Sequence, residues 1–116
     1  MSEVTIYHNP ACGTSRKTLE LLRERGIEPR VVEYLKAGWT EDLLKDLVRQ
    51  TGGQLIDLVR ERGTRAEELG LLDPATSDAV RLEAMVADPV LVNRPIVVTA
   101  KGTALCRPQE RVLDLL

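Results

Sequence analysis

The sequence has few aromatic residues, few cysteines and a single histidine. Among its 116 residues there is no Phe, and aromatic residues make up only 3%. The hydrophobic core must therefore consist mainly of aliphatic side chains. Two Cys and one His are too few for a structural zinc site, which usually takes four such ligands, so we expect no bound metal. In a reducing compartment two Cys also rarely form a structural disulfide.

Long apolar runs and a strong charge imbalance are absent as well. No stretch approaches the roughly 20 apolar residues of a transmembrane helix, and residues 1–5 lack the basic start and apolar run of a signal peptide. We therefore expect a cytoplasmic protein that does not associate with membranes. The net charge of −2 argues against a broad surface for nucleic acid. Arg nevertheless supplies 12 of the 16 basic residues, and Arg binds oxyanions through a planar fork that Lys lacks.

The order of predicted elements indicates an α/β domain with a small mixed sheet. A strand at 4–7, a helix that Thr14 or Ser15 caps and Gly26 ends, and a strand at 30–35 form a βαβ unit with parallel strands. The middle of the chain is predicted to be helical, with helices that begin at Thr40, at Leu55, at Thr64 and at Thr76 or Ser77. The end of the chain is predicted to form strands at 96–99 and 103–106 and a last helix at 109–115.

This order is that of a thioredoxin-like fold: βαβ, then a β-hairpin and a helix. The helical block, about residues 40–88, is inserted between strands 2 and 3. The chain is long enough for one domain, and it has no internal repeat, low-complexity stretch or linker. We therefore predict a single domain over residues 1–116.

Cys12 is the candidate nucleophile, because it lies in the loop between the first strand and the first helix. A free thiol has a pKa of about 8.5. The unpaired N–H groups and the positive end of the dipole at a helix N-terminus favour the thiolate, and they also attract oxyanions. The hydroxyls of Thr14 and Ser15 are expected to donate to the sulfur or to cap the helix. The alternative is that Cys12 is a small loop residue without chemistry.

Other residues carry weaker local signals. His8, at the end of strand 1, is either a residue that holds negative charge near Cys12 or an ordinary structural histidine. Cys106 ends a predicted strand and is better interpreted as a buried small apolar residue. Pro95 precedes the third strand, where thioredoxin-like domains carry a cis-proline that faces the active cysteine. Arg94 would then point towards Cys12, the alternative being an exposed loop charge.

Four segments closely resemble the arsenate reductases that are coupled to glutathione and glutaredoxin. They are HNPACGTSR at 8–16, ELGL at 68–71, NRPIVVT at 93–99 and LCRP at 105–108. The resemblance implies that Cys12 is the nucleophile, supported by His8 and Ser15. It also implies that three arginines hold the oxyanion, namely Arg60, Arg94 and Arg107. Spacing alone does not assign Arg60 or Arg107, and the helix predicted around Arg60 matches the family less strictly.

The mechanism implied by this resemblance begins with attack of the Cys12 thiolate on arsenate. Glutathione then attacks the adduct as a co-substrate, and glutaredoxin removes the glutathione, so no bound cofactor is expected. One departure is that many relatives carry a longer C-terminal tail than this sequence, which ends at Leu116. We expect this difference in length to affect the docking of a partner.

Three other functions agree less well with this sequence. A transcriptional regulator of the Spx type needs a Cys-x-x-Cys switch, but position 15 is Ser. A glutathione-dependent thiol oxidoreductase that does not act on arsenate has no need of three arginines. A phosphatase-like arsenate reductase needs a Cys-x5-Arg loop, whereas only three residues separate Cys12 from Arg16.

Overall fold

A computed structural model describes residues 3–116. Met1 and Ser2, which belong to the segment where no signal peptide is expected, lie outside the described residues. The chain divides into two compact units: one takes the chain up to Ala37 together with Arg94–Leu116, and the other is Gly38–Asn93. Within residues 3–116 no helix is both long and apolar enough to cross a membrane.

The first unit is built around a four-stranded mixed sheet. Its strands are β1 (Thr5–His8), β2 (Arg30–Glu33), β3 (Ile96–Thr99) and β4 (Gly102–Leu105). Its helices are α1 (Gly13–Glu24), the one-turn α2 (Tyr34–Ala37) and a 3-10 helix at Gln109–Leu115. The strand order is β2-β1-β3-β4, with β1 parallel to β2 and both other pairs antiparallel. This topology confirms the predicted α/β class, a βαβ unit followed by a hairpin.

A hydrophobic cluster of this unit lies on one face of the sheet. Ile6 of β1 pairs with Val97 of β3, and both side chains are fully buried. Leu22 of α1 and two residues of the C-terminal 3-10 helix, Val112 and Leu115, pack against them. Each such side chain contributes on the order of 2 kcal/mol when buried. Aliphatic packing of this kind is what the lack of Phe predicts.

Helix α1 begins earlier than its sequence suggests. The N-cap is Cys12, in an extended conformation and with no side-chain cap hydrogen bond, so the prediction of Thr14 or Ser15 as the cap is wrong. The physical reason is that the Ser15 hydroxyl is engaged by His8 and Asn9 instead. The chain after α1 turns at Gly26, which has a positive φ of 76°.

The second strand is shorter than predicted. β2 ends at Glu33, and the chain turns into the short helix α2 at Tyr34, whose side chain is completely buried. The β-branched run stops at Val32, and the following residues, Tyr34–Ala37, have no β-branched side chain that would hold them extended.

The second unit is mostly helical. It contains α3 (Glu41–Thr51), α4 (Asp78–Ala87) and two short 3-10 helices, Leu55–Leu58 and Pro89–Leu91. The predicted caps of the two long helices are confirmed. The Thr40 hydroxyl accepts a hydrogen bond from the Leu43 N–H at 3.1 Å, and the Ser77 hydroxyl accepts one from the Val80 N–H.

Two helix predictions in this unit are wrong. The helix expected from Leu55 to Gly63 is a single 3-10 turn, after which Val59 forms an antiparallel bridge with Val92. The helix expected at Thr64 is a series of turns over residues 62–72. Gly63 and Gly70 both have positive φ, so the segment between them is too short to offset the cost of helix nucleation.

Candidate active site

The loop between β1 and α1 presents Cys12 at the helix N-terminus. The Cys12 N–H donates to the Asn9 carbonyl at 3.0 Å, and the Ala11 N–H donates to Asn9 Oδ1 at 2.9 Å. From the helix side, Arg16 Nη1 donates to the Pro10 carbonyl at 2.9 Å. Cys12 is only 8% exposed, so its sulfur is recessed in the loop.

The Cys12 sulfur is surrounded by hydrogen-bond donors. Burial alone would raise the pKa of this thiol, because it disfavours the charged form. The Ser15 backbone N–H and the side chains of Arg94 and Arg107 outweigh that effect and lower the pKa of Cys12 to about 7. The thiolate is therefore a major species at neutral pH, as a nucleophile requires.

Arg107 links the sulfur to the segment before β3. Its Nη1 lies 3.7 Å from Cys12 Sγ and donates to the Arg94 carbonyl at 2.9 Å. The Arg94–Pro95 peptide bond is cis, and Pro95 is buried. Arg94 is half-buried, and its side chain also bonds the sulfur.

The sheet explains why residues far apart in sequence meet at this sulfur. β3 runs antiparallel to both β1 and β4, so the start of β3 lies beside the ends of the other two strands. Tyr7 pairs with Ile96, Ile96 pairs with Leu105, and the Cys106 N–H donates to the Pro95 carbonyl at 2.9 Å. The residues just outside these strand ends therefore lie close together at one end of the strands.

His8 and Ser15 form a buried pair beneath the loop. His8 Nδ1 lies 2.6 Å from Ser15 Oγ, and the same oxygen accepts a hydrogen bond from the Asn9 N–H at 3.1 Å. Burial lowers the pKa of His8, although Glu33 acts in the opposite direction. The imidazole is therefore neutral near pH 7. Ser15 meets the sulfur through its main-chain N–H, whereas its hydroxyl is used by His8 and Asn9.

Cys106 is a second thiol of a different kind. It is completely buried in the core of the first unit, and burial raises its pKa to about 12. Its Sγ lies 3.7 Å from the Ala104 carbonyl. Both cysteines are free, and Cys106 is a neutral thiol at any physiological pH.

Arg60 belongs to the second unit and lies outside any helix, contrary to the sequence-based expectation. It follows the Val59–Val92 bridge, and its N–H donates to the Leu91 carbonyl at 2.8 Å. Its guanidinium donates to Asn93 Oδ1 and to the Arg62 carbonyl, each at 3.1 Å. Its role as an oxyanion ligand stays a prediction.

No group of three or more His, Cys, Asp or Glu that could hold a metal occurs within residues 3–116. The residues around Cys12 instead offer a recessed thiolate and two guanidinium groups, a combination suited to attack on an oxyanion. The sequence profile of the ArsC family matches residues 7–115 of the chain. The chain belongs to the ArsC family.

Individual relatives agree with this assignment. The arsenate reductase of Rhizobium meliloti is 54% identical over 113 residues, which cover 97% of this chain and 81% of that protein. The arsenate reductase of Escherichia coli is 48% identical over 116 residues, which cover all of this chain and 82% of that protein. The structure of an arsenate reductase from Vibrio cholerae superposes with a TM-score of 0.91 at 40% identity and covers 98% of both chains. The thioredoxin-like fold is thereby confirmed.

Asn9 is a site residue that the sequence analysis did not single out. In the structure Asn9 is 5% exposed. Its carbonyl and its side-chain oxygen accept N–H groups of the loop that carries Cys12, and its own N–H donates to Ser15 Oγ on α1. The available signal was the pair Asn9-Pro10, since Asn at the first position and Pro at the second are typical of a β-turn.

Proposed function

We propose that this protein reduces arsenate to arsenite with electrons from glutathione and glutaredoxin. The observation that carries the proposal is the Cys12 sulfur, which accepts hydrogen bonds from the Ser15 N–H and from the side chains of Arg94 and Arg107. This environment stabilises a thiolate and places positive charge where the oxygens of a bound oxyanion would need it. The two curated relatives described above, at 48% and 54% identity, are named as arsenate reductases.

In the proposed first step the Cys12 thiolate attacks the arsenic atom. A sulfur–arsenic bond forms, an arsenic–oxygen bond breaks, and the oxygen takes up protons and leaves as water. The arsenic remains in the +5 state. Arg94 and Arg107 balance the negative charge on the remaining oxygens, and the N–H groups at the start of α1 help to do so. The family resemblance adds Arg60 to this set.

The proposed later steps take two electrons from external thiols. Glutathione attacks the adduct and forms a second sulfur–arsenic bond, an arsenic–oxygen bond breaks, and the oxygen takes up protons and leaves as water. The glutaredoxin thiolate then attacks the glutathione sulfur and forms a mixed disulfide, while the bond between that sulfur and arsenic breaks and its electron pair reduces arsenic from +5 to +3. Water then displaces the Cys12 sulfur from arsenic, which releases arsenite and regenerates the Cys12 thiolate. Cys106 is unsuited to replace these partners, because its thiol is buried and its pKa is raised to about 12. Since the coupling thiols belong to a reducing compartment, we propose the cytoplasm as the location.

The test is arsenate-dependent oxidation of NADPH in the presence of glutathione, glutaredoxin and glutathione reductase. The intact protein should support it, and Cys12→Ser should abolish it, because a hydroxyl at neutral pH is a far weaker nucleophile than a thiolate. Cys106→Ala is the matched control, since it removes the other thiol from the chain and should retain turnover. Activity that survives Cys12→Ser, or no activity of the intact protein, would contradict the proposal.

A further inference from the structure

The turn before Cys12 has a counterpart in the second unit. The segment Asn9-Pro10-Ala11 precedes Cys12, and Asp73-Pro74-Ala75 precedes Thr76. Each consists of an Asx residue, Pro and Ala, and each lies shortly before a long helix, α1 or α4. This repetition allows the same turn to be compared in two surroundings.

The hydrogen bonds of the two turns have the same lengths. In the first, the Ala11 N–H donates to Asn9 Oδ1 at 2.9 Å and the Cys12 N–H donates to the Asn9 carbonyl at 3.0 Å. In the second, the N–H of the residue two positions after Asp73 donates to Asp73 Oδ1 at 2.9 Å. The next N–H along the chain donates to the Asp73 carbonyl at 3.0 Å. The turn therefore has the same hydrogen-bond geometry with an amide or with a carboxylate at its first position.

The surroundings of the two first residues differ. Asp73 is exposed, whereas Asn9 is 5% exposed and also donates its N–H to Ser15 Oγ at 3.1 Å. The groups that face the Cys12 thiolate are Ser15 on α1, Arg94 before β3 and Arg107 after β4. The other charged or titratable groups beside this loop are His8 on β1, which bonds Ser15, and Arg16 on α1, which bonds the loop carbonyl of Pro10. A carboxylate at position 9 would place a negative charge on the residue whose carbonyl accepts the Cys12 N–H. That charge would disfavour the negative form of the sulfur in the same loop.

We propose that Asn9 is a positioning residue for Cys12. Its turn holds Cys12 at the N-terminus of α1, and its amide, unlike the carboxylate of an Asp, adds no negative charge to the loop that carries the sulfur. The first part follows from the three polar groups of Asn9, of which two bond within the loop and one bonds Ser15 of α1. The second follows from the Asp73 turn, which shows that geometry alone does not require an amide. The inference rests on the proposed role of Cys12 as the nucleophile.

The charge part is tested with Asn9→Asp, in a Cys106→Ala background so that only Cys12 can react. The readout is the rate of alkylation by iodoacetamide between pH 5 and 9, which reports the thiolate fraction. The turn should remain, although burial of the new carboxylate should lower Tm. The midpoint should move to higher pH by about one unit, and alkylation at pH 6 should slow about tenfold. Asp73→Asn is the matched control, since it changes charge in the same turn and should leave the midpoint where it was. An unchanged midpoint in Asn9→Asp would overturn this part.

The positioning part is tested with Asn9→Ala against Asp73→Ala. Both substitutions remove the side-chain hydrogen bond of the turn, so both should lower Tm. Only Asn9→Ala should also slow alkylation at pH 6, because a looser loop holds the sulfur less well against the Ser15 N–H. If Asn9→Ala lowers Tm and leaves the alkylation profile unchanged, Asn9 stabilises the fold and does not position the nucleophile.

These measurements separate the inference from the proposed function. Alkylation uses neither arsenate nor glutathione, so its pH profile tests Asn9 whether or not the protein turns over arsenate. Absence of arsenate turnover in the intact protein, together with the expected alkylation shifts, would contradict the proposed function alone. Normal turnover with unshifted alkylation profiles would contradict the inference alone.

Discussion

At the scale of single residues, the reactivity of Cys12 results from opposing effects on one sulfur atom. Burial disfavours the thiolate, and the hydrogen bonds from Ser15, Arg94 and Arg107 favour it, with a net lowering of the pKa to about 7. Cys106 has burial without such donors, and its pKa is raised to about 12. The same residue type thus becomes a nucleophile at one position and an inert core residue at the other.

Arg107→Ala should destabilise the Cys12 thiolate and weaken the binding of arsenate. The guanidinium lies 3.7 Å from the sulfur and holds the Arg94 carbonyl at 2.9 Å, so its loss removes a donor to the sulfur and frees the Arg94 segment. We expect the pKa of Cys12 to rise and kcat/KM for arsenate to fall on the order of 100-fold. The measurements are the pH profile of alkylation and steady-state turnover.

Arg65→Ala serves as the control for Arg107→Ala. Arg65 is an exposed arginine whose Nε pairs with Glu68 at 2.7 Å. Its removal costs one positive charge but no contact with the sulfur, so turnover and the alkylation profile should stay as in the intact protein. Equal losses in both variants would mean that net charge, rather than the position of Arg107, controls the reaction.

At the scale of elements, caps decide where the helices begin. α3 is capped by Thr40. The first turn of the helix also carries Glu41 and Asp42, whose negative charges interact favourably with the positive end of the helix dipole. α4 begins in the same way at Ser77, with a longer hydrogen bond of 3.4 Å. α1 has no side-chain cap, and its N-cap position is held by Cys12. A helix end without a side-chain cap keeps its N–H groups available for a sulfur or an oxyanion.

Thr40→Ala should lower the free energy of unfolding by about 1 kcal/mol, which is a typical value for loss of an N-cap hydroxyl. The hydroxyl accepts the Leu43 N–H at 3.1 Å and this bond has no replacement from an Ala side chain. Urea unfolding measures the effect, and Thr40→Ser should restore most of it. Ser77→Ala, which removes the 3.4 Å bond, should cost less. A larger cost at Ser77 than at Thr40 would contradict this ranking.

The elements also show what the sequence could and could not predict. Strands β1 and β3, helices α3 and α4 and the hairpin follow from local patterns, because their apolar periodicity and caps agree with their final state. The segment at Thr64 has a capping pattern, but its hydroxyl accepts from Ala66, two residues on, and a turn forms instead. The start of α1 was misplaced because a hydrogen bond to His8, seven residues away, decides what the Ser15 hydroxyl does.

At the scale of the whole molecule, the candidate site depends on pairing between distant strands. Cys12 could be predicted from the local arrangement of strand, loop and helix. Arg94 was expected near Cys12 from its place before Pro95, but spacing alone did not assign Arg107. The register of β3 against β1 and β4 brings both segments to the end of β1. The family resemblance supplied what local reasoning lacked, because it records the outcome of that pairing.

The two thiols give the stability of the molecule opposite dependences on pH. The native pKa of Cys12 is lowered to about 7, below the value of about 8.5 in an unfolded chain. Between these values the unfolded state binds more protons, so this contribution to stability is complete above about pH 8.5 and is lost as the pH falls through 7. The native pKa of Cys106 is raised to about 12, so its contribution is complete below about pH 8.5 and declines as the pH rises further.

The difference in unfolding free energy between the intact protein and two variants separates these contributions. Urea unfolding under reducing conditions from pH 6 to 10 provides the measurement. The difference between the unfolding free energies of the intact protein and of Cys12→Ser should increase from pH 6.5 to about 8.5 and then level off. The corresponding difference between the intact protein and Cys106→Ala should be constant up to about pH 8.5 and should decrease above it. A Cys12→Ser difference that does not change with pH would mean that folding leaves the acidity of Cys12 unaltered, and the donors around its sulfur would then have no effect on the nucleophile.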